Sequence, residues 1–184
     1  MSTRSGSKAA LLVVDVQVGV VANAWDRNRV VENIALAVRR ARDADVAIVW
    51  VQHQDDELKP DTPAWCWVPE LQPASGDIRI HKGFNSAFEG TGLLSELDRL
   101  GVSRIFLAGA ATNWCIRATA YGALERGFDL TLLSDAHTTE NMEPAPGRVV
   151  EARSMVDDLN AAMHWLSYPG RANAAVPAGE AAFA

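Results

Sequence analysis

Four apolar runs of strand length constrain this chain more than any other feature. They are Ala9-Ala-Leu-Leu-Val-Val14, Val46-Ala-Ile-Val-Trp-Val51, Ile105-Phe-Leu-Ala108 and Phe128-Asp-Leu-Thr-Leu-Leu133. A strand with one wet face alternates apolar and polar residues. A continuous run instead marks a strand covered on both faces. Helical spacing fills the gaps between the runs. Over residues 26–43, Val30, Ile34, Ala37, Val38 and Ala41 share one face. Over residues 91–100, Thr91 caps a helix, Leu93, Leu94, Leu97 and Leu100 form its apolar side, and Gly101 ends it. Ile116, Ala120, Ala123 and Leu124 define a third helix, and residues 149–159 a fourth. Ile78-Arg-Ile-His81 adds a short strand, Pro144 and Pro146 fall in a loop, and the tail from about residue 160 has room for one more strand. Strands alternating with helices predict an α/β fold with a mostly parallel sheet and helices on both faces.

The chain has 184 residues, a length suited to one domain, expected over residues 9–184 behind a polar, flexible leader at residues 1–8. Net charge is −6 and no basic cluster is present, which argues against nucleic acid or an anionic membrane as partner. No apolar run approaches membrane-spanning length. Cys66 and Cys115 are the only cysteines and lie in unlike contexts, so free thiols and a cytoplasmic setting are expected.

Residues 52–77 break the alternation. Gln52 opens a polar stretch, Pro60, Pro63, Pro69 and Pro73 punctuate it, and Trp65, Cys66 and Trp67 interrupt it. A loop this long in a compact domain usually serves as a lid or binding segment.

The chemistry centres on Ala108-Gly-Ala-Ala-Thr-Asn-Trp-Cys115. Small residues turn the chain after a buried strand. Thr112 and Asn113 can accept hydrogen bonds from free N–H groups at a helix start. Cys115 is then expected in the first helical turn, where unpaired N–H groups and the helix dipole favour a thiolate and can hold an oxyanion. The competing reading is a small buried hydrophobe. Asp15 and Lys82 each lie near the carboxyl end of a strand, where sites form in open α/β sheets. A thiol nucleophile needs a base and a nearby positive group, and Asp15 and Lys82 fit those parts. Alone, Asp15 reads as a turn or cap residue and Lys82 as a solvated lysine. Their joint placement with Cys115 favours the site. Trp25, Trp65, Trp67, Phe84 and Trp114 can wall a pocket for an apolar or planar ligand, while packing of the long loop competes for Trp65 and Trp67. His53, with Asp55 and Asp56 beside it, lacks a second clear imidazole for a metal site.

Taken together, Leu11-Leu-Val-Val-Asp-Val-Gln17, Lys82-Gly-Phe-Asn-Ser-Ala-Phe88, Gly109-Ala-Ala-Thr-Asn-Trp-Cys-Ile-Arg-Ala-Thr-Ala120 and Ser134-Asp-Ala136 resemble the isochorismatase-like cysteine hydrolases. The resemblance implies a Rossmann-like three-layer α/β/α sandwich with a central, mainly parallel sheet. It implies a triad of Asp15 as base, Lys82 as orienting group and Cys115 as nucleophile. It places a cis peptide at Ala110–Ala111 and an oxyanion hole on the N–H groups of Ala111 and Cys115. Gln17, Trp25, Phe84 and Trp114 are expected at the substrate. The implied reaction is hydrolysis of an amide or other C–N bond of a small molecule, by a homodimer or larger homo-oligomer. Isochorismate-cleaving members do without the cysteine, so Cys115 favours the amidase type. Nicotinamidases carry an Asp-x-His pair and a further His for a metal after the second strand. Here that place reads Gln52-His53-Gln54-Asp55, with no further His before His81, and neither metal nor cofactor is expected. The segments around residues 49–58 and 65–71 look more like a branch that includes streptothricin-hydrolase-like proteins.

Overall fold

The computed structural model describes residues 3–183. Its strands are β1 (Lys8–Val14), β2 (Ala47–His53), β3 (Ile78–Lys82), β4 (Val102–Ala110), β5 (Asp129–Thr138), β6 (Met142–Ala145), β7 (Arg148–Val150) and β8 (Asn173–Val176). Its α-helices are α1 (Arg27–Asp43), α2 (Leu93–Leu100), α3 (Arg117–Glu125) and α4 (Ala152–Trp165). Among the described residues, six strands form one sheet in the order β3-β2-β1-β4-β5-β8. Every pairing within it is parallel.

The continuous apolar runs are explained by burial on both faces. In β1, Leu11 and Val13 belong to a core shared with α1, while Ala10, Leu12 and Val14 belong to a second core shared with α2, α3 and α4. Alternate side chains of one strand thus feed both layers. Each fully buried Leu, Val or Ile is worth roughly 1.5–3 kcal/mol relative to exposure. The result is the expected three-layer sandwich. None of the helices is long and apolar enough to cross a membrane, among the described residues.

Two places differ from the sequence reading. Pro144 lies in β6, which pairs antiparallel with β7 as a small separate ribbon, while Pro146 sits in the turn between them. Pro144 is tolerated there because a two-stranded ribbon leaves edge positions that need no donor. The fourth helix starts later and runs longer, to Trp165. Of the expected leader, Met1 and Ser2 lie outside the described residues. Arg4 packs its guanidinium over the Phe128 ring at 4.2 Å and donates to Arg126 O at 2.8 Å, and Lys8 already belongs to β1.

The sheet order sets the place of the site. From β1 the chain winds outward through β2 and β3 on one side, and β4 and β5 lie on the other. The crevice at such a reversal, between the carboxyl ends of β1 and β4, is where open α/β sheets bind ligands. Gly109 lets the two strands come close there. Its φ is +128°, and a Cβ would lie 2.0 Å from Val14 O.

Candidate active site

Asp15 follows the last residue of β1. Its backbone turns left-handed, with φ 52°, and its N–H is bonded to Val51 O at 2.8 Å. Short polar residues such as aspartate tolerate this conformation better than branched ones. Lys82 ends β3, two strands away, and its long side chain spans the gap. Lys82 Nζ lies 2.6 Å from Asp15 Oδ2, and both side chains are buried. The same nitrogen is 3.2 Å from Cys115 Sγ. The structure therefore brings together the three residues named from the sequence. Besides Lys82, the Asp15 carboxyl has the Cys115 thiol as a side-chain hydrogen-bond partner, so base and thiol are in direct reach of each other.

Cys115 does not occupy an ordinary α-helical first turn. Residues Thr112–Ile116 form a π-helical turn that leads into α3. No side chain caps this turn. Thr112 Oγ1 instead meets His137 Nδ1 at 2.9 Å, and Asn113 Oδ1 accepts from Thr139 Oγ1 at 2.6 Å. The expected caps are thus tied to the end of β5. His137 in turn contacts Asn160 Oδ1 at 3.0 Å, and Asn160 donates to Ser134 O at 2.9 Å. This brace from α4 and β5 was not read from the sequence, although the run Ser134-Asp-Ala-His137 marked its place. Burial holds the His137 imidazole down to a pKa of about 4, with Asn160 offsetting in part, so the ring is neutral.

The peptide between Ala110 and Ala111 is cis. Ala111 O accepts from the N–H groups of Trp114 and Ile116, both at 3.1 Å. The Ala111 N–H itself has no backbone acceptor among the described residues.

The electrostatics differ from the expected depressed thiol. Burial first, and the Asp15 charge second, push Cys115 up to about 12, with Lys82 pulling partly back. Burial likewise raises Asp15 above the usual carboxylate range, and Lys82 opposes it. The resting pair is a neutral thiol beside a carboxyl group with raised proton affinity. Such a pair suits attack in which the proton leaves as the new bond forms.

The remaining expected site residues divide. Gln17 is fully buried, and its amide is committed to the protein. Its Nε2 donates to the carbonyls of His53 and Trp65, both at 2.9 Å, and its Oε1 accepts from His53 N at 2.8 Å. It ties the long loop to the end of β1. Trp65 meets the His81 ring edge-on at 5.6 Å, and Trp67 meets Trp50 at 5.5 Å. Both pack against the body of the fold. Phe84 and Trp114 are 62% and 54% exposed. Phe84 follows Lys82 by two residues and Trp114 precedes Cys115, so both stand at the rim. Trp25 lines a separate shallow cavity of about 280 Å³ with Asn23, Glu140 and Asn141.

His53 is a site residue whose contact the sequence reading missed. Its Nδ1 lies 3.2 Å from Lys82 Nζ, and its Nε2 lies 2.9 Å from Asp55 Oδ2. The signal was positional: His53 and Lys82 end adjacent strands and are directly paired in register.

The Isochorismatase domain profile matches residues 9–157. A streptothricin hydrolase of Streptomyces noursei is 34% identical over 143 residues, covering 74% of this chain and 52% of that protein. The chain thus spans about half the length of that relative. A maleamate amidohydrolase of Pseudomonas putida is 26% identical, covering 79% of this chain and 69% of that protein. The crystal structure of an isochorismatase from Pseudomonas putida KT2440 superposes with a TM-score of 0.83 at 24% identity, over 95% of this chain and 91% of that one. That likeness concerns the fold. With a family profile spanning β1 to α4, the chain belongs to the isochorismatase family.

Proposed function

We propose that this protein is a cysteine-dependent amidohydrolase that cleaves an amide or other C–N bond of a small molecule. The observation that carries the reading is Lys82 Nζ standing between Asp15 Oδ2 at 2.6 Å and Cys115 Sγ at 3.2 Å. In this reading Sγ attacks the carbonyl carbon while Asp15 takes the thiol proton. The developing oxyanion is met by the N–H groups of Ala111 and Cys115. Asp15 then returns the proton to the leaving nitrogen as the C–N bond breaks, leaving a thioester. Water attacks the thioester carbon, its proton passes through Asp15 to sulfur, and the C–S bond breaks to release the acid. In this reading Phe84 and Trp114, exposed beside Lys82 and Cys115, contact the substrate. The names of the relatives, streptothricin hydrolase and maleamate amidohydrolase, support C–N chemistry.

The test is ammonia or amine release from a panel of small amides, ureido acids and cyclic amides, with the wild type beside Cys115→Ala. Release that depends on Cys115 supports the reading. Release that persists in Cys115→Ala counts against an acyl-enzyme. The same reading takes the protein as a homodimer or larger assembly. Exposed Trp165 and Val149 support it, and sedimentation velocity checks it.

A further inference from the structure

Lys82 Nζ is offered more acceptors than it can satisfy. Asp15 Oδ2 lies at 2.6 Å, Phe84 O at 3.1 Å, and His53 Nδ1 and Cys115 Sγ each at 3.2 Å. That is four acceptors for the three N–H groups of an ammonium. Asp15 Oδ2 is the closest, and Phe84 O is backbone. The competition therefore falls between His53 and Cys115.

The His53 ring is set up for this contest. Its backbone is clamped on both sides by the Gln17 amide, 2.8 Å at its N–H and 2.9 Å at its carbonyl. Asp55 Oδ2, acceptor-only as a carboxylate, faces Nε2 at 2.9 Å. Asp55 is held ionised: hydrogen bonds from the backbone N–H of Leu58 lead the causes that keep its carboxyl below the usual range. The ring proton must then sit on Nε2, which leaves Nδ1 as an acceptor toward Lys82. The charged and titratable groups facing His53 are Lys82 from β3, Asp15 from the end of β1 and Asp55 from its own loop, with Cys115 beyond Lys82.

We propose that His53, fixed in one tautomer by Asp55, is a positioning residue. It accepts the third N–H of Lys82 while Cys115 is a thiol, and yields it to Sγ when negative charge forms there. A thiol sulfur is a weak acceptor, so the imidazole wins at rest. A thiolate makes a charge-assisted bond and wins afterwards. Only the hydrogen bond moves; the thiol proton goes to Asp15. His53 thus withholds one stabilising N–H from the resting thiol. The inference rests on the reading of Cys115 and Lys82 given above.

Three substitutions separate this role from mere packing. His53→Phe keeps the ring and removes the acceptor. His53→Asn keeps an acceptor close to the place of Nδ1. Asp55→Asn is the sharpest. Asp55 Oδ1 caps the N–H groups of Glu57 at 2.9 Å and Leu58 at 2.7 Å, and an amide oxygen can keep those bonds. The amide NH2 then faces Nε2, which must accept, and the ring proton moves to Nδ1.

The experiment is iodoacetamide alkylation of Cys115 at fixed pH, read by mass spectrometry in a Cys66→Ser background. With the third N–H left only to sulfur, His53→Phe and Asp55→Asn are expected to react roughly tenfold faster than wild type, the effect of about one pKa unit on thiolate fraction. His53→Asn is expected to stay close to wild type. Equal rates in wild type, His53→Phe and Asp55→Asn overturn the proposal, as does His53→Asn reacting as fast as His53→Phe. Should His53→Phe not fold, nitrogen NMR of the wild-type imidazole decides beside Asp55→Asn: a proton on Nε2 is expected, and one on Nδ1 overturns it. These rate ratios need no substrate, so they stand apart from the ammonia-release test of the hydrolase reading.

Discussion

Lys82 and Asp15 meet at 2.6 Å with neither side chain open to solvent. Removing the lysine would leave a carboxyl group that burial already disfavours as an anion. Lys82→Met is expected to cost about 3–5 kcal/mol near neutral pH, the usual penalty for stranding one member of a buried pair. The pH dependence has a definite sign. A carboxyl raised in the folded state is comfortable when protonated, so the penalty is smallest at low pH and grows as pH rises through the folded value. Urea midpoints of Lys82→Met and wild type at pH 5 and pH 8 check this. A gap that does not widen with pH would count against the buried pair.

The Cys115 thiol is pushed up to about 12, chiefly by burial. Thiolate is the reactive form, so the alkylation rate should keep climbing through pH 10. An unperturbed cysteine in a short blocked peptide levels off above its ordinary value of about 8.5. A Cys115 plateau near neutral pH would show that the thiolate is stabilised far more than the structure indicates. Once a substrate is in hand, the same electrostatics fix the acid limb of hydrolysis. If Asp15 is the base proposed above, its raised proton affinity means the base is lost at a higher pH than an ordinary carboxylate would be.

His137 is fully buried and shifted from 6.5 to about 4. The unfolded chain therefore takes up this proton before the folded one does. Stability is unaffected above about 6.5, falls as pH drops toward 4, and loses on the order of 3 kcal/mol in all. Denaturant titrations from pH 7 to pH 4 measure the fall. His137→Asn should flatten that limb while weakening the tie to Thr112.

A methyl group at Gly109 would lie 2.0 Å from a backbone oxygen of β1, at a φ that side chains rarely adopt. Neither strand can yield without disturbing the sheet beside the site. Gly109→Ala is expected to cost about 4 kcal/mol or more and to appear largely insoluble. A thermal melt within a few degrees of wild type would show that β1 and β4 part more easily than their packing implies.

The fold was readable because burial on both faces leaves a mark that survives in one strand at a time. Leu11 to Val14 and Ile48 to Val51 carry no alternation because both neighbours of the sheet are apolar. The grouping of Asp15, Lys82 and Cys115 was readable because Lys82 ends a strand and Asp15 and Cys115 each follow one. Shared sheet ends turn distant positions into neighbours. What escaped was side-chain traffic. Nothing local in Thr112 says that its hydroxyl serves His137 instead of the helix start, because that partner arrives from β5. Nothing local in Gln17 says that its amide clamps His53. Pairing of β6 with β7 was hidden by prolines that read as loop residues. The thiol's upward shift was missed because proximity to a helix start was weighed and desolvation was not.

The sheet order has a consequence for the chain as it is being made. Asp15 directly follows the first strand, yet its partners wait for β3 and for the turn after β4. Parallel pairing of this kind forms late, because long stretches must be closed before any contact rewards them. Until then Cys115 is an ordinary thiol, ionising in the usual range and open to oxidants. Closing the sheet shields it. The nascent protein is therefore more exposed to chemical damage at Cys115 than the finished one.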